Sequence, residues 1–203
     1  MKPIPSGPAR PQTAGLLLAL ALGAAGLAGC TTTLDNAPPP ASSSSFSTAA
    51  KLDAAVSATL QRLYTVAPGS REMVRHAAGV LVFPEVIGGA LIVGAEHGRG
   101  ALRVGGHTAG YYSTTGASLG WQVGGQSKSV VYVFSTREAL NKFQSSKGWT
   151  AGADATVAIG KVSANGSVDS ETVHQPVVSF VMNNVGLEVG VSLTGSKISP
   201  ITL

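Results

Sequence analysis

Cysteine is almost absent from this chain, which has a single one, Cys30, among its 203 residues. A lone cysteine cannot form a disulfide within the chain, and it leaves a cysteine-based metal site without its other ligands. Charged residues are also scarce, at 12% of the sequence, and aromatic residues amount to 5%. Such a low density of charge excludes the class of highly charged disordered proteins.

Sequence signatures of catalysis are missing as well. The chain contains no Gly-x-Ser-x-Gly elbow, no Walker loop and no His-Glu-x-x-His motif. Glu96 and His97 are adjacent on a predicted strand, so their side chains point to opposite faces and cannot act as an acid/base couple. The four histidines have spacings that fit no known set of metal ligands: His76, His97, His107 and His174. We therefore expect no enzyme activity, no metal and no cofactor.

The net charge is too small to indicate a partner. It is +4 for the whole chain, and residues 1–29 contribute Lys2 and Arg10 with no acid. Without that segment, 12 basic residues face 10 acidic ones, which leaves +2. A local patch of cations would have to decide the partner. We expect neither a nucleic acid nor a small-molecule substrate.

Glycine is abundant, with 26 residues in the chain, and it interrupts short apolar runs between positions 79 and 125. The runs 80–83 and 90–93 are too short for helices and rich in β-branched residues, which favours buried strands. Pro84 closes the first run. The two glycines within 97–100 predict a hairpin turn before another strand at 101–104.

The remaining patterns indicate a mixture of helices and strands. Apolar residues at helical spacing predict a helix over 49–67, and Ser70 is the expected N-cap of a short second helix. A strand at 130–134 precedes a helix at 136–147 that begins with a capping box, and two hairpins follow over 149–193. We predict an α+β fold, in which helices pack on a strongly twisted antiparallel sheet that could close towards a barrel.

Four segments of the chain resemble the SYLF domain family. They are GVLVFP at 79–84, VGAEHGRG at 93–100, LGWQVGGQ at 119–126 and SKGWTAG at 146–152. The resemblance covers roughly residues 50–201 of a domain that we predict at 49–203, and it implies a domain that binds anionic phospholipids or phosphoinositides without catalysis. Eukaryotic members also engage actin, often alongside a Src-homology module. This chain has no room for that module, so actin binding is not expected.

The N-terminal segment has the layout of an export signal. Lys2 and Arg10 precede an apolar run at 14–22, which is shorter than the ~20 residues of a membrane span. The following Leu-Ala-Gly-Cys30 resembles a bacterial lipobox, in which the cysteine is acylated and becomes the new N-terminus; a plain secretory signal is the alternative. We predict a signal peptide at 1–29 and a Pro/Ser-rich tether at 30–48.

The destination of the exported chain follows from the residue after the cysteine. Thr31 stands where a retention signal for the inner membrane would place aspartate. By resemblance to other lipoproteins, we therefore expect a lipid-anchored protein of the outer membrane that faces the periplasm.

Six cations are the candidates for contact with lipid phosphates. Two lie eleven residues apart, close to three turns, on the first predicted helix, and two lie four apart on the second. The other two lie in the glycine-rich block. In chain order they are Lys51, Arg62, Arg71, Arg75, Arg99 and Arg103. The first helix either lays its apolar stripe in the headgroup region or packs that stripe on the sheet with its cations in solvent.

These features predict a non-enzymatic lipoprotein whose folded domain binds anionic phospholipid headgroups of the membrane. The alternative is an envelope scaffold that binds another protein and contacts the membrane only through its anchor.

Overall fold

The computed structural model describes residues 41–89, 93–119, 126–163, 167–188 and 193–203. The predicted signal peptide, Cys30 and the first part of the predicted tether lie outside these residues. So do the strand residues predicted at 90–92, Trp121 and the turn predicted at 165–166. Residues 39–203 form one compact unit.

Helices and strands are interspersed along the described residues. The helices are α1 (Ala41–Val66), α2 (Ser70–His76), α3 (Arg137–Ser145) and α4 (Ser170–Val173). The strands are β1 (Gly79–Gly89), β2 (Val93–Val104), β3 (His107–Leu119), β4 (Gln126–Phe134), β5 (Trp149–Thr150), β6 (Ala158–Ile159), β7 (Val177–Met182), β8 (Leu187–Glu188) and β9 (Lys197–Ile201).

The strands join one sheet in the order β5-β9-β3-β2-β1-β4-β7-β6, with β8 paired to β7 outside this path. The sheet curls into a half-barrel, which confirms the predicted α+β fold with a twisted sheet. One pair, β6 and β7, is parallel, so the sheet is mixed rather than purely antiparallel. The reason is the α4 crossover between these two strands, a connection that parallel neighbours require.

Both faces of the sheet are packed, because successive strand residues point to opposite sides. On one face, the stripe of α1 centred on the fully buried Val56 and Leu63 covers Val80, Val131 and Phe180. The structure therefore supports the packed interpretation of the first helix, and its stripe is not free to enter a membrane. The other face holds an aromatic cluster of five side chains: Phe83, Tyr132, Phe134, Phe143 and Trp149.

Helix α3 packs as its sequence predicts, but it begins one residue later, because Thr136 rather than Ser135 of the predicted capping box is its N-cap. The Thr136 hydroxyl accepts a hydrogen bond from the Ala139 backbone N–H at 3.2 Å, which caps the first turn. Leu140 and Phe143 are buried, and the Phe143 ring lies 4.9 Å from that of Phe134.

The hairpin turn predicted at 97–100 is wrong, because all four residues lie inside β2. Each pairs with β3, and all but Gly100 pair with β1 as well. Their glycines serve a different purpose. A Cβ at Gly100 would lie 2.2 Å from the Val82 carbonyl oxygen, and one at Gly98 would lie 2.6 Å from that of Glu85. The pairing of β1 with β2 shifts between Val82 and Glu85. The two glycines thus let β2 approach an irregular stretch of β1, a known use of glycine within strands.

The turn itself lies further along, at Gly105 and Gly106, between the paired residues Val104 and His107. Both glycines have positive φ, +57° and +84°, as a two-residue hairpin of the primed type requires. Pro84 does not end β1 either. It sits at the shifted pairing, one of the few places where a strand tolerates a proline without the ladder N–H.

The first helix starts earlier than predicted. α1 begins at Ala41, so residues 41–48 of the predicted tether are helical. No proline follows Pro40 until Pro68, and serine costs a helix only a few tenths of a kcal/mol relative to alanine. At the next helix, Ser70 is the first residue of α2 rather than its cap, which is Gly69.

The strands predicted over 149–162 shrink to β5 and β6, each two residues long. The Asp154 carboxylate accepts the Thr150 backbone N–H at 2.6 Å, and Gly152 has a φ of +84°. This local turn withdraws the chain from the sheet, although its apolar residues alternate.

Candidate functional site

One side of α1 is fixed to the β2–β3 hairpin through Asp53. Its carboxylate accepts hydrogen bonds from the Thr108 hydroxyl at 2.8 Å and the Tyr111 hydroxyl at 3.1 Å. The Arg103 guanidinium donates to the Asp53 backbone carbonyl at 3.1 Å and to the Ser57 hydroxyl at 3.2 Å, with the Asp53 carboxylate 3.9 Å away. Burial and the bond to Asp53 raise the pKa of Tyr111 above its ordinary value. This network sets which sides of α1 face the sheet and the solvent.

The opposite side of α1 carries Lys51 and Arg62. Arg62 is nine residues from Asp53, or two and a half turns, so it lies on the opposite side of the helix. Lys51 and Arg62 are eleven residues apart, close to three full turns, so they share a side. The Arg62 guanidinium donates to the backbone carbonyl of Asn183, just beyond β7. Neither cation forms an ion pair with another residue that the structure describes.

Part of the sheet face on the α1 side is uncovered. A row of directly paired residues crosses five strands, β4, β1, β2, β3 and β9, and every member is exposed: Ser127, Ile87, His97, Thr115 and Lys197. Directly paired residues share a face. Arg99, two residues from His97 along β2, therefore lies on this face as well and is also exposed. We call this row together with Arg99 the exposed strip.

The exposed strip meets α1 at an open groove of about 410 Å³. Thr48 of α1 lines it on one side, His97 and Arg99 of β2 and Ser113 of β3 form its floor, and residues 201–203 complete it. Thr48 is fourteen residues before Arg62, close to four turns, so it lies on the Lys51 and Arg62 side of the helix. The groove thus connects the helix cations to the strip.

Four cations therefore share one side of the domain: Lys51, Arg62, Arg99 and Lys197. We call them the basic flank. None of the four is in an ion pair with a described residue. The carboxylate of Glu85 lies on the same face, directly across from Arg99, and accepts the Ser127 hydroxyl at 3.3 Å. The balance on this face is still positive.

The other three predicted cations lie on the Asp53 side of α1 or on α2. Arg103 is held by Asp53, as described above. Arg75 and His76 both contact the Glu72 carboxylate, at 2.5 and 2.6 Å, and the hydrogen bond from Arg75, followed by that from His76, lowers the pKa of Glu72. Arg71 lies over the ring of Tyr64, 4.5 Å from its centroid. The structure thus separates the six candidates into two groups rather than one patch.

Lys197 is the cation that the sequence analysis missed. Thr194-Gly-Ser-Lys197 has the composition of a turn, and a turn does occupy residues 194–195. Lys197 nevertheless begins β9, where its partner is Thr115. The usable signal was the buried Ile198 between two more polar neighbours, but Pro200 obscures a strand so short.

The polar residues of the described chain offer no catalytic arrangement that we recognise. Glu96 and His97 do face opposite sides, since Glu96 pairs with Lys128 at 2.9 Å while His97 lies on the exposed strip. Among the described residues, no three His, Cys, Asp or Glu side chains are placed to hold a metal ion. In the same part of the chain, no helix has both the length and the apolar character that crossing a bilayer demands.

A family model matches residues 115–202, and its description is Ysc84, Las17-binding protein actin regulator. The matched segment includes Thr115 and Lys197 of the exposed strip. This is the SYLF family, which is known as a lipid-binding or actin-regulator domain and is not a known enzyme family. No curated protein matches the chain significantly.

Proposed function

We propose that this chain, whose residues 115–202 match the SYLF family model, is a non-enzymatic, lipid-binding lipoprotein of the bacterial envelope. Its folded domain recognises anionic phospholipid headgroups, such as phosphatidic acid, through the basic flank. Acylated Cys30 anchors it in the outer membrane on the periplasmic side. The acyl chains hold the protein at the bilayer, since each buried methylene contributes about 0.8 kcal/mol.

The observation that carries this proposal is that no cation of the basic flank forms an ion pair with a residue that the structure describes. A cation already bound to a carboxylate has its charge offset, whereas a free one near an anionic surface contributes about 1 kcal/mol of binding. Arginine is well suited to the task, because its planar donors match two phosphate oxygens at once. Arg99 is exposed at the floor of the groove, and Lys51 is exposed on the adjoining helix side.

The anchor and the domain act together in this proposal. Because α1 begins at Ala41, the segment that links it to Cys30 is short, and a short tether keeps the domain at a high effective concentration next to the bilayer. The domain itself then needs only modest affinity, and its role is to choose among headgroups and to set the orientation of the protein.

Vesicle flotation of residues 39–203 tests the proposal without the anchor. This fragment contains the whole compact unit and both apolar clusters, and circular dichroism checks its fold. We expect it to float with vesicles that contain phosphatidic acid and not with pure phosphatidylcholine. Binding should weaken between 0.05 and ~0.5 M salt, because the Debye length shortens to a few ångströms.

Equal recovery on acidic and neutral vesicles, or no recovery on either, would contradict headgroup recognition. The second result would favour the alternative, an envelope scaffold whose membrane contact is limited to its anchor.

A further inference from the structure

Two exposed apolar side chains border the basic flank, and we propose that they enter the bilayer when the domain docks. They are Ile87 on β1 and Val185 after β7. This inference rests on the proposed function, which it deepens by assigning a docking face and an apolar contact. The occupant of that face is the interfacial layer of an acidic phospholipid bilayer.

The exposure of these two side chains is the first observation. Among the described residues, the large hydrophobic side chains that are exposed are Ile87 at 55%, Val173 at 47% and Val185 at 97%. Ile87 is a member of the exposed strip, directly paired with His97 on β2 and with Ser127 on β4. It therefore stands next to the groove that holds Arg99.

Val185 sits at the tip of a closed corner. The Asn183 side-chain oxygen accepts the backbone N–H groups of Val185 at 2.9 Å and Gly186 at 3.1 Å. The Asn183 backbone N–H in turn donates to the Gly186 carbonyl at 2.9 Å. These bonds hold the corner in one shape, so little further conformational entropy is lost when Val185 enters the bilayer.

The corner is also tied to the basic flank. Arg62 donates to the Asn183 carbonyl, which fixes the corner against the cation-bearing side of α1. In the sheet, Met182 at the end of β7 pairs with Ser129 of β4, two residues from Ser127 of the strip. Val185 thus extends from the end of the sheet at which the exposed strip lies.

This arrangement has the chemistry of a bilayer contact. Cations meet the phosphate layer, while the apolar side chains next to them reach the boundary of the acyl chains. Surface-bound proteins combine electrostatic and hydrophobic binding in this way.

Val173 provides a matched comparison. It lies on α4, before β7, whereas Val185 follows β7, so a strand of six residues separates the two valines.

Single-cysteine labelling tests the inference. Residues 39–203 contain no cysteine, since Cys30 is the only one in the chain. Ile87→Cys, Val185→Cys and Val173→Cys are each labelled with an environment-sensitive nitrobenzoxadiazole dye and mixed with phosphatidic acid vesicles. We expect at least a twofold rise and a blue shift of the emission at positions 87 and 185, and no change at 173.

Aspartate substitutions give a second test. Ile87→Asp and Val185→Asp should each weaken vesicle binding about tenfold, and Val173→Asp should not.

The outcomes separate the two proposals. If the fragment floats with acidic vesicles but the dyes at 87 and 185 stay in water, the insertion is wrong and headgroup recognition stands. A response at 173 alone would overturn the docking face. If the unlabelled fragment does not float at all, the proposed function fails and the insertion fails with it.

Discussion

Gly98 and Gly100 are strand glycines whose missing side chains make room for the neighbouring backbone. A sequence shows that a glycine is present, but it does not show whether a turn or a close approach of two strands requires it. Here the close approach of β2 to β1 requires both glycines. The same limit explains why the sequence does not mark Lys197: its place on the exposed strip depends on pairing with Thr115, some eighty residues away.

Gly100→Ala tests this account of the glycines. The new methyl group would lie 2.2 Å from the backbone oxygen of Val82, which cannot move without disturbing β1. We expect a loss of about 3 kcal/mol in the free energy of unfolding, at the upper end of what overpacking costs. Urea denaturation measures it.

The matched control is Gly110→Ala on β3. There the nearest atom to an added Cβ belongs to the Tyr112 ring at 3.4 Å, an ordinary contact. Its stability should change by less than about 1 kcal/mol. Similar losses for the two variants would refute the proposed role of Gly100.

At the scale of elements, helices were predicted better than strands. The stripe of α1 and the buried face of α3 are local patterns, which a sequence displays directly. The position of α1 on the sheet is different, because it depends on contacts of Asp53 with Thr108 and Tyr111 that lie far along the chain. The local spacing of residues along α1 does not reveal that Asp53 has these partners.

Asp53→Ala should therefore destabilise the domain even though α1 itself gains a better helix former. The change leaves the half-buried Thr108 and Tyr111 hydroxyls without their acceptor and removes the carboxylate 3.9 Å from Arg103, which keeps its bond to the backbone carbonyl. We expect a loss of about 2 kcal/mol in the free energy of unfolding. Urea denaturation compares it with Gln61→Ala, a change at an exposed position of the same helix. That variant should change the free energy of unfolding by less than about 0.5 kcal/mol, as expected for a surface site. Equal stability of the two variants would show that the network does not hold α1 in place.

For the molecule as a whole, burial protects all four tyrosines. It raises the pKa of Tyr64, Tyr111, Tyr112 and Tyr132, and Tyr132 is affected most, with the charge of Glu96 adding to the effect. Each group stays protonated in the folded state after it has ionised in the unfolded chain. Their contribution is complete below the ordinary tyrosine pKa of about 10 and is lost as pH rises above it.

The free energy of unfolding should accordingly fall at alkaline pH. Tyr132 alone gives a slope of about −1.4 kcal/mol per pH unit above pH 10. Tyr132→Phe should make the slope shallower by that amount, whatever it does to stability at pH 7. Denaturation curves between pH 9 and ~11.5 measure this slope. An unchanged slope in the variant would mean that Tyr132 ionises as easily in the folded protein as in the unfolded one.

The central claim is that one side of the domain, and not the other, meets the acidic membrane. The family could be expected from motifs in the sequence, and the proposed ligand class from that resemblance. The side could not, because the six candidate cations between positions 51 and 103 divide into two groups only when α1 is fixed on the sheet. Lys51 and Arg99 are free on one side, whereas Arg71 and Arg75 engage Tyr64 and Glu72 elsewhere.

Two double variants of residues 39–203, Lys51→Gln/Arg99→Gln and Arg71→Gln/Arg75→Gln, remove the same charge and differ only in its position. Glutamine avoids placing a second carboxylate opposite Glu85. Their partition onto phosphatidic acid vesicles at low salt is the most direct measurement. At about 1 kcal/mol per cation, the first variant should bind about thirtyfold more weakly than the unaltered fragment, and the second less than about threefold. Equal losses, or a larger loss in the second variant, would contradict recognition through the basic flank.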